Sequence, residues 1–458
     1  GIFRFFRTFL YTLVSLLVYL VGCLGVITPF SLLYVPLAKI FKWGNGPIHA
    51  LLHYFGKMVT WLLQFIDVKV TIRNRHAEDF SKPAIIICNH QSHLDLMVQL
   101  SLTRKIVFLT NKEKYQYSYE DIIEMLQDNV KLTDVEQTID LFAKSIAPYV
   151  DEIYTDVMGN CIAHKKGNGK KILLMAHADE IGLIISHIDE KGFLYFKEIG
   201  GLDTNVLPGQ RVLINGKNKR IVGVVGKKPV HLQEQSDNSK DFKSEDLWID
   251  IAVNNKKEAM EDVQLGSIAT VISDPVLMSN SLVSSRSLDD KIGLLILIGV
   301  AQCLYESNSD YDIYFVASVQ EELGARGAQT ITERIMPEIG IVLDVTHATD
   351  YPTMSIIKDG DIKLGDGVVI AFGPNMNKEV THNLLNIATS NNIKHQMEII
   401  AHPTGTDARI VQVAGSGVKV GLISIPCRYM HTPNEMVSLE DTDNAIILLT
   451  KYLQNSVN

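Results

Sequence analysis

Apolar and polar positions are distributed in two different ways along this chain. From Phe9 to Ile27 (FLYTLVSLLVYLVGCLGVI) every side chain is uncharged, and no charged residue occurs between Arg7 and Lys39. A run of this length suffices to cross a hydrocarbon core of roughly 30 Å as a helix, which predicts a transmembrane helix. The uncharged character continues through residues 9–35, longer than the apolar region of about 7–15 residues in a secretory signal. A second run, Pro47–Ile66, is interrupted by Lys57 and predicts an interfacial helix. A short strand of buried type follows at Pro83–Cys88 (PAIIIC).

Beyond Asn111 short periodic segments alternate. Helical spacing marks Tyr119–Leu126 and Val135–Val150, and an apolar helix is predicted at Ile292–Leu304. Strands are predicted at Lys171–Ala176, Tyr311–Val319, Gly340–Leu343 and Gly417–Ser424. Residues 186–271 read differently, as short β-segments separated by turns at Gly200-Gly201, Gly209, Gly216, Gly223 and Gly226. The expected fold class is therefore α/β: a mixed-sheet α/β/α domain over 113–185 and 272–458, an inserted small β domain over 186–271, and a transmembrane or interfacial helical segment over 1–112.

Charge sharpens the division. Of 43 Lys+Arg and 52 Asp+Glu, residues 1–112 hold 12 and 4, so a basic first quarter precedes an acidic remainder. That asymmetry suggests different partners for the two pieces, a membrane surface for the first and none for the second, and no nucleic-acid partner is expected. Five cysteines, widely spaced and without a C-x-x-C pair, indicate neither a disulfide framework nor a thiolate zinc site. A cytoplasmic setting is expected for the acidic part, with membrane association through residues 9–35.

After the strand at Pro83–Cys88 comes Asn89-His90-Gln91-Ser92-His93-Leu94-Asp95. A histidine five residues before a carboxylate can take a proton from an alcohol while the carboxylate holds its tautomer. This segment resembles the N-H-x-S-x-x-D signature of the glycerolipid (1-acylglycerol-3-phosphate) acyltransferases, which would make His90 and Asp95 the catalytic pair of a lysophospholipid acyltransferase. The later glycine-containing and E-G-T-R-type blocks of that family are missing, so residues 1–112 are expected to be a truncated, inactive acyltransferase-like segment. One complete enzyme following a fragment of another, joined near Asn111–Glu113, is the resulting expectation.

In the acidic part, ionisable residues follow the predicted strands: His177 and Asp179, Glu321 and Glu322, Asp344, and Arg428 to His431. Asp289-Asp290 stands just before the apolar helix. Ligands in α/β sheets bind beyond the carboxyl ends of strands, so these residues can converge. Histidines and carboxylates without thiolates form a ligand set suited to zinc, cobalt or manganese, and two ions would need a shared carboxylate. Of two consecutive glutamates, one can bind metal while its neighbour acts as a base.

The segments AHADEIG (176–182), RSLDDKIG (286–293), VQEELGARG (319–327), LDV (343–345), GTDA (405–408) and PCRYMHTPNE (426–435) closely resemble family forty-two of the metallopeptidases, the TET-type or glutamyl aminopeptidase family. The resemblance implies a two-metal aminopeptidase hydrolysing amino-terminal residues from peptides. It places His177 and Asp344 on one divalent ion, Glu322 and His431 on the other, and Asp289 between them. Glu321 becomes the catalytic base, and the Asp179 carboxylate orients His177. Thr406-Asp407 is assigned to the substrate cleft. The family also implies that the β insert mediates dimerisation, with a homo-oligomer up to a dodecamer.

Overall fold

The computed structural model describes residues 84–86, 106–108, 135–232, 242–305 and 309–454. The chain divides into two units, Gly1–Ser118 and Tyr119–Asn458. In the first, Ala84–Ile86 pairs in parallel with Ile106–Phe108. The apolar run Phe9–Ile27, the segment Pro47–Ile66, and both His90 and Asp95 lie outside the described residues, as does the helix expected at Tyr119–Leu126. Among the described residues no helix is long and apolar enough to cross a membrane.

The second unit is built on an 11-stranded mixed sheet. Its centre is four parallel strands in the order Lys419–Arg428, Ile339–His347, Lys171–His177 and Asp312–Ser318. These are buried along nearly their whole length, as expected of parallel strands covered on both faces. Antiparallel strands extend the sheet on either side, through Cys161–Lys165 and Glu152–Thr155 at one edge and Glu435–Ser438 and Leu282–Ser285 at the other.

Alternation sorts the strand side chains between two layers. Leu173, Met175, Val316, Val342, Val420 and Leu422 meet Ala328, Ile331 and Ile335 of the helix Arg326–Ile335 and Val411 of the helix Ala408–Val413. The opposite face packs on the helix Leu288–Leu304, which is itself covered by Leu439–Gln454. From Ile292 to Ala301 this helix is apolar all round because it lies between sheet and helix. Each large aliphatic side chain so buried contributes roughly 1.5–3 kcal/mol.

The insert is a closed antiparallel barrel of six strands, from Gly182–Ile188 to Ile268–Val271. It has its own core, including Leu183, Ile185, Phe196, Val212, Ile214, Val225 and Ile249. Closure depends on Trp248–Asp250, which pairs with both Leu194–Ile199 and Arg220–Gly226. The first barrel strand opens at Gly182, only five residues after His177.

The helix expected at Val135–Val150 runs from Val135 to Ile146 and ends as a short 3-10 turn at Ala147–Tyr149, where Pro148 cannot continue the hydrogen-bond ladder. The central strands run further than the apolar runs that announce them. Ile339–His347 contains Asp344 within it, and Lys171–His177 ends on His177. A polar residue at a strand's carboxyl end breaks the apolar pattern without ending the ladder.

Candidate active site

Carboxyl ends of the four parallel strands lie on one edge of the sheet and deliver most of the site. His177 closes one strand and Asp344 lies in another. After Ser318 the chain turns through Gln320 (φ 59°) into Glu321 and Glu322, and after Arg428 it turns through Tyr429 (φ 59°) to His431 (φ 62°). Asp289 and Asp290 enter from the start of Leu288–Leu304, where both have non-helical dihedrals. The expected residues His177, Asp179, Asp289, Glu321, Glu322, Asp344 and His431 are thus gathered at one place.

Hydrogen bonds fix the tautomers of both histidines. Nδ1 of His177 donates to the backbone carbonyl of Asp179 at 3.0 Å, which leaves the lone pair of Nε2 facing Asp289 Oδ1 at 2.9 Å. Nδ1 of His431 donates to the carbonyl of Gly201 at 3.0 Å. Its Nε2 then faces Asp289 Oδ2 at 3.4 Å and Glu322 Oε1 at 3.5 Å. Lone pairs set against carboxylate oxygens repel unless a proton or a cation lies between them.

The electrostatics carry the same demand. Burial opposes protonation of His177, but Asp289 outweighs it and holds the imidazolium well above its ordinary range. The hydrogen bond to Asp289 pushes His431 up to about 9. Burial also opposes ionisation of Asp289, yet His177 and His431 hold its carboxyl below the usual range. For the remaining acids burial outweighs the pull of the imidazoles. Burial pushes Glu321 up to about 8, and burial with the charge of Asp289 pushes Glu322 to about 7 and Asp344 well above normal. Buried carboxylates outnumber the two imidazoles, which makes this a place where cations are stabilised.

The donor set fits metal ions. Ligand atoms of His177, Asp289 and Glu322 lie within 4.8 Å of one another, and those of His177, Asp290 and Asp344 do the same. Asp290 caps the helix through Oδ1, which accepts the Gly293 N–H at 3.1 Å, while its buried Oδ2 lacks a hydrogen-bond partner among the described residues.

Asp179 acts differently from the expectation. Its carbonyl, rather than its carboxylate, makes the short contact with His177, and the carboxylate stands 3.7 Å from that ring. The two carboxylate oxygens instead accept the backbone N–H groups of Glu321 at 3.1 Å and Glu322 at 3.2 Å. Committed to that turn, the side chain reaches the ring less closely than the backbone does. Asp407 is buried under the site and accepts the Ser318 hydroxyl at 2.6 Å, with burial pushing its carboxyl up to about 6. Arg428 makes a two-pronged pair with Asp350, each bond 2.7 Å.

Two supporting carboxylates escaped the sequence reading: Glu180 and Glu435. Glu180 accepts hydrogen bonds from Arg286, Ser287 and Lys291, tying the turn after His177 to the loop that carries Asp289. Their only signal is membership of the same six segments. Glu180 follows Asp179, and Glu435 ends PCRYMHTPNE.

A helix-flanked mixed sheet, with a histidine and carboxylate cluster beyond its parallel strands and a small barrel inserted beside it, defines a mixed α/β architecture with a cation-demanding centre. The family model for M42 glutamyl aminopeptidase matches residues 159–448, and the chain belongs to that family. The lysyl aminopeptidase of Pyrococcus furiosus is 36% identical over 317 residues, covering 69% of this chain and 90% of that protein. An aminopeptidase from the archaeon Desulfurococcus kamchatkensis superposes with TM-score 0.69 at 32% identity, covering 74% of this chain and 96% of that one. The TET1 peptidase of Pyrococcus horikoshii, which can assemble into a tetrahedron or a large octahedral shell, gives TM-score 0.65 at 29% identity over 72% of this chain and 99% of its own. The chain is a peptide-hydrolysing aminopeptidase. The family match lies wholly outside residues 1–118 and lends the acyltransferase resemblance no support.

Proposed function

We propose that this enzyme removes amino-terminal residues from peptides at a centre of two divalent ions. His177 and Asp344 would hold one ion and Glu322 and His431 the other, with Asp289 available to both. The observation that carries this reading is the pair of imidazole Nε2 atoms aimed at opposite oxygens of the Asp289 carboxylate. When bound, the ions supply Lewis acidity that polarises a peptide carbonyl and lowers the pKa of water. The ligand set suits zinc, cobalt or manganese.

The chain's own residues supply the rest of the chemistry. Glu321 accepts a proton from the attacking water and returns it to the leaving amine as the C–N bond breaks. Asp179 supports that step by holding the backbone of Glu321 and Glu322, which fixes where the base can reach. The barrel is read as the association surface of a homo-oligomer, a reading supported by the assembly of the TET1 relative. The units are read as a peptidase beginning near residue 113, with its insert between 186 and 271, after a separate amino-terminal segment.

The test is Glu321→Gln. Metal content is expected to stay at the wild-type level while kcat on aminoacyl arylamides falls by roughly 10²–10⁴-fold. Undiminished turnover would remove Glu321 from the chemistry.

A further inference from the structure

Glu435 is bonded to the backbones of two residues that would carry the proposed ions. It is 1% exposed and opens the strand Glu435–Ser438. Its Oε2 accepts the N–H of Asp289 at 3.1 Å, and its Oε1 accepts the N–H of His431 at 2.9 Å. The sheet register explains this reach. On one side Ser285 pairs with Glu435, and that strand leads into the Asp289 loop. On the other, Arg428 pairs with Met436, and that strand leads into the His431 turn. Glu435 therefore stands between two chain segments, each leaving its strand for the site.

Both segments have irregular backbones. Asp289 has φ −80° and ψ 104° inside an assigned helix, and His431 has φ 62°, a left-handed conformation that costs an ordinary residue roughly 1–2 kcal/mol. Hydrogen bonds to a buried carboxylate are among the stronger ones and can hold such geometry. The Asp289 loop has a second anchor, because Ser287 and Lys291 on either side of it bind Glu180. The His431 backbone is gripped by Glu435, and its ring is steered by Gly201.

We propose that Glu435 is a positioning residue that fixes His431 against the shared Asp289 carboxylate, and that it secures one ion of the pair more than the other. This rests on the two-ion reading above. His177 and Asp344 take their backbone placement from the parallel strands themselves, so the ion assigned to them depends on Glu435 only through Asp289, whose loop Glu180 also anchors. The ion assigned to Glu322 and His431 does. Replacing Glu435 by Gln keeps shape and volume but sets an amide NH₂ against one of the two N–H groups, so one grip is lost.

The experiment is calorimetric zinc titration of the metal-stripped full chain, as wild type and as Glu435→Gln. Wild type is expected to take up two zinc ions per subunit. The variant is expected to bind one with wild-type affinity and the other about 10–100-fold more weakly, the usual cost of disturbing groups that support ligands. A purely structural role would weaken both sites alike. Wild-type affinity at both sites, or equal weakening of both, overturns the proposal alone. Fewer than two zinc ions on wild type overturns the two-ion reading and this proposal with it. Should Glu435→Gln lose its circular-dichroism signature of folding, Glu435→Asp, which retains the charge at a shorter reach, is titrated with the same expectation and the same contrary results.

Discussion

His431 and Gly201 are 230 positions apart, and the ring Nδ1–H of the first donates to the carbonyl of the second at 3.0 Å. Gly201 belongs to the turn after the barrel strand Leu194–Ile199, so the insert reaches into the site and sets a histidine tautomer there. There is no room beside this turn. A Cβ at Gly200 would lie 2.7 Å from Ile181 Cγ2 and 2.8 Å from Glu322 Oε2, and Gly200 has φ 71°.

Gly200→Ala should therefore damage catalysis more than folding. The left-handed backbone costs roughly 1–2 kcal/mol, a modest part of the stability of a domain this size. Displacement of Glu322 should lower kcat/KM by about tenfold or more. Steady-state kinetics beside circular dichroism tests this, and a wild-type kcat/KM in the folded variant would contradict it.

A pH dependence follows from Asp350. Its burial opposes ionisation, but the two hydrogen bonds from Arg428 outweigh it and hold the carboxyl below its usual range. A carboxyl depressed in the folded state adds stability above its unfolded value of about 3.9, and that stability is lost as pH falls through the folded value. Asp350→Asn should thus be less stable at neutral pH. Below about pH 4 its melting temperature should converge on that of wild type. Parallel curves from pH 7 to pH 3 would count against this pair.

The sequence made the chemistry legible more readily than its support. His177, Asp289, Glu321, Glu322, Asp344 and His431 were all recognisable, because side-chain identity and order are what a motif displays. Glu435 and the Asp179 carboxylate act on backbone N–H groups, and nothing in a sequence states which amide a buried carboxylate will meet. Strand ends were read short at His177 and Asp344 because polar site residues interrupt the apolar run that marks a strand. The insert was legible as β-structure from its turns. Its closure depends on the three-residue strand Trp248–Asp250, too short to carry a pattern.

Assembly offers a separate test. Val222 and Val224 are 54% and 45% exposed at alternate positions of the strand Arg220–Gly226, while Val225 points into the barrel core. Two outward valines on one strand face suit an association surface. The double variant Val222→Asp with Val224→Asp should shift the particle to a smaller mass in light scattering without unfolding. An unchanged mass would place the interface elsewhere.

The measurement that bears most directly on the two-ion account is turnover of an aminoacyl arylamide by the metal-stripped full chain during titration with cobalt. Turnover should be absent at the start, rise as ions bind, and reach its plateau at two ions per subunit. Full turnover by the exhaustively chelated protein, or a plateau at one ion per subunit, would contradict the account.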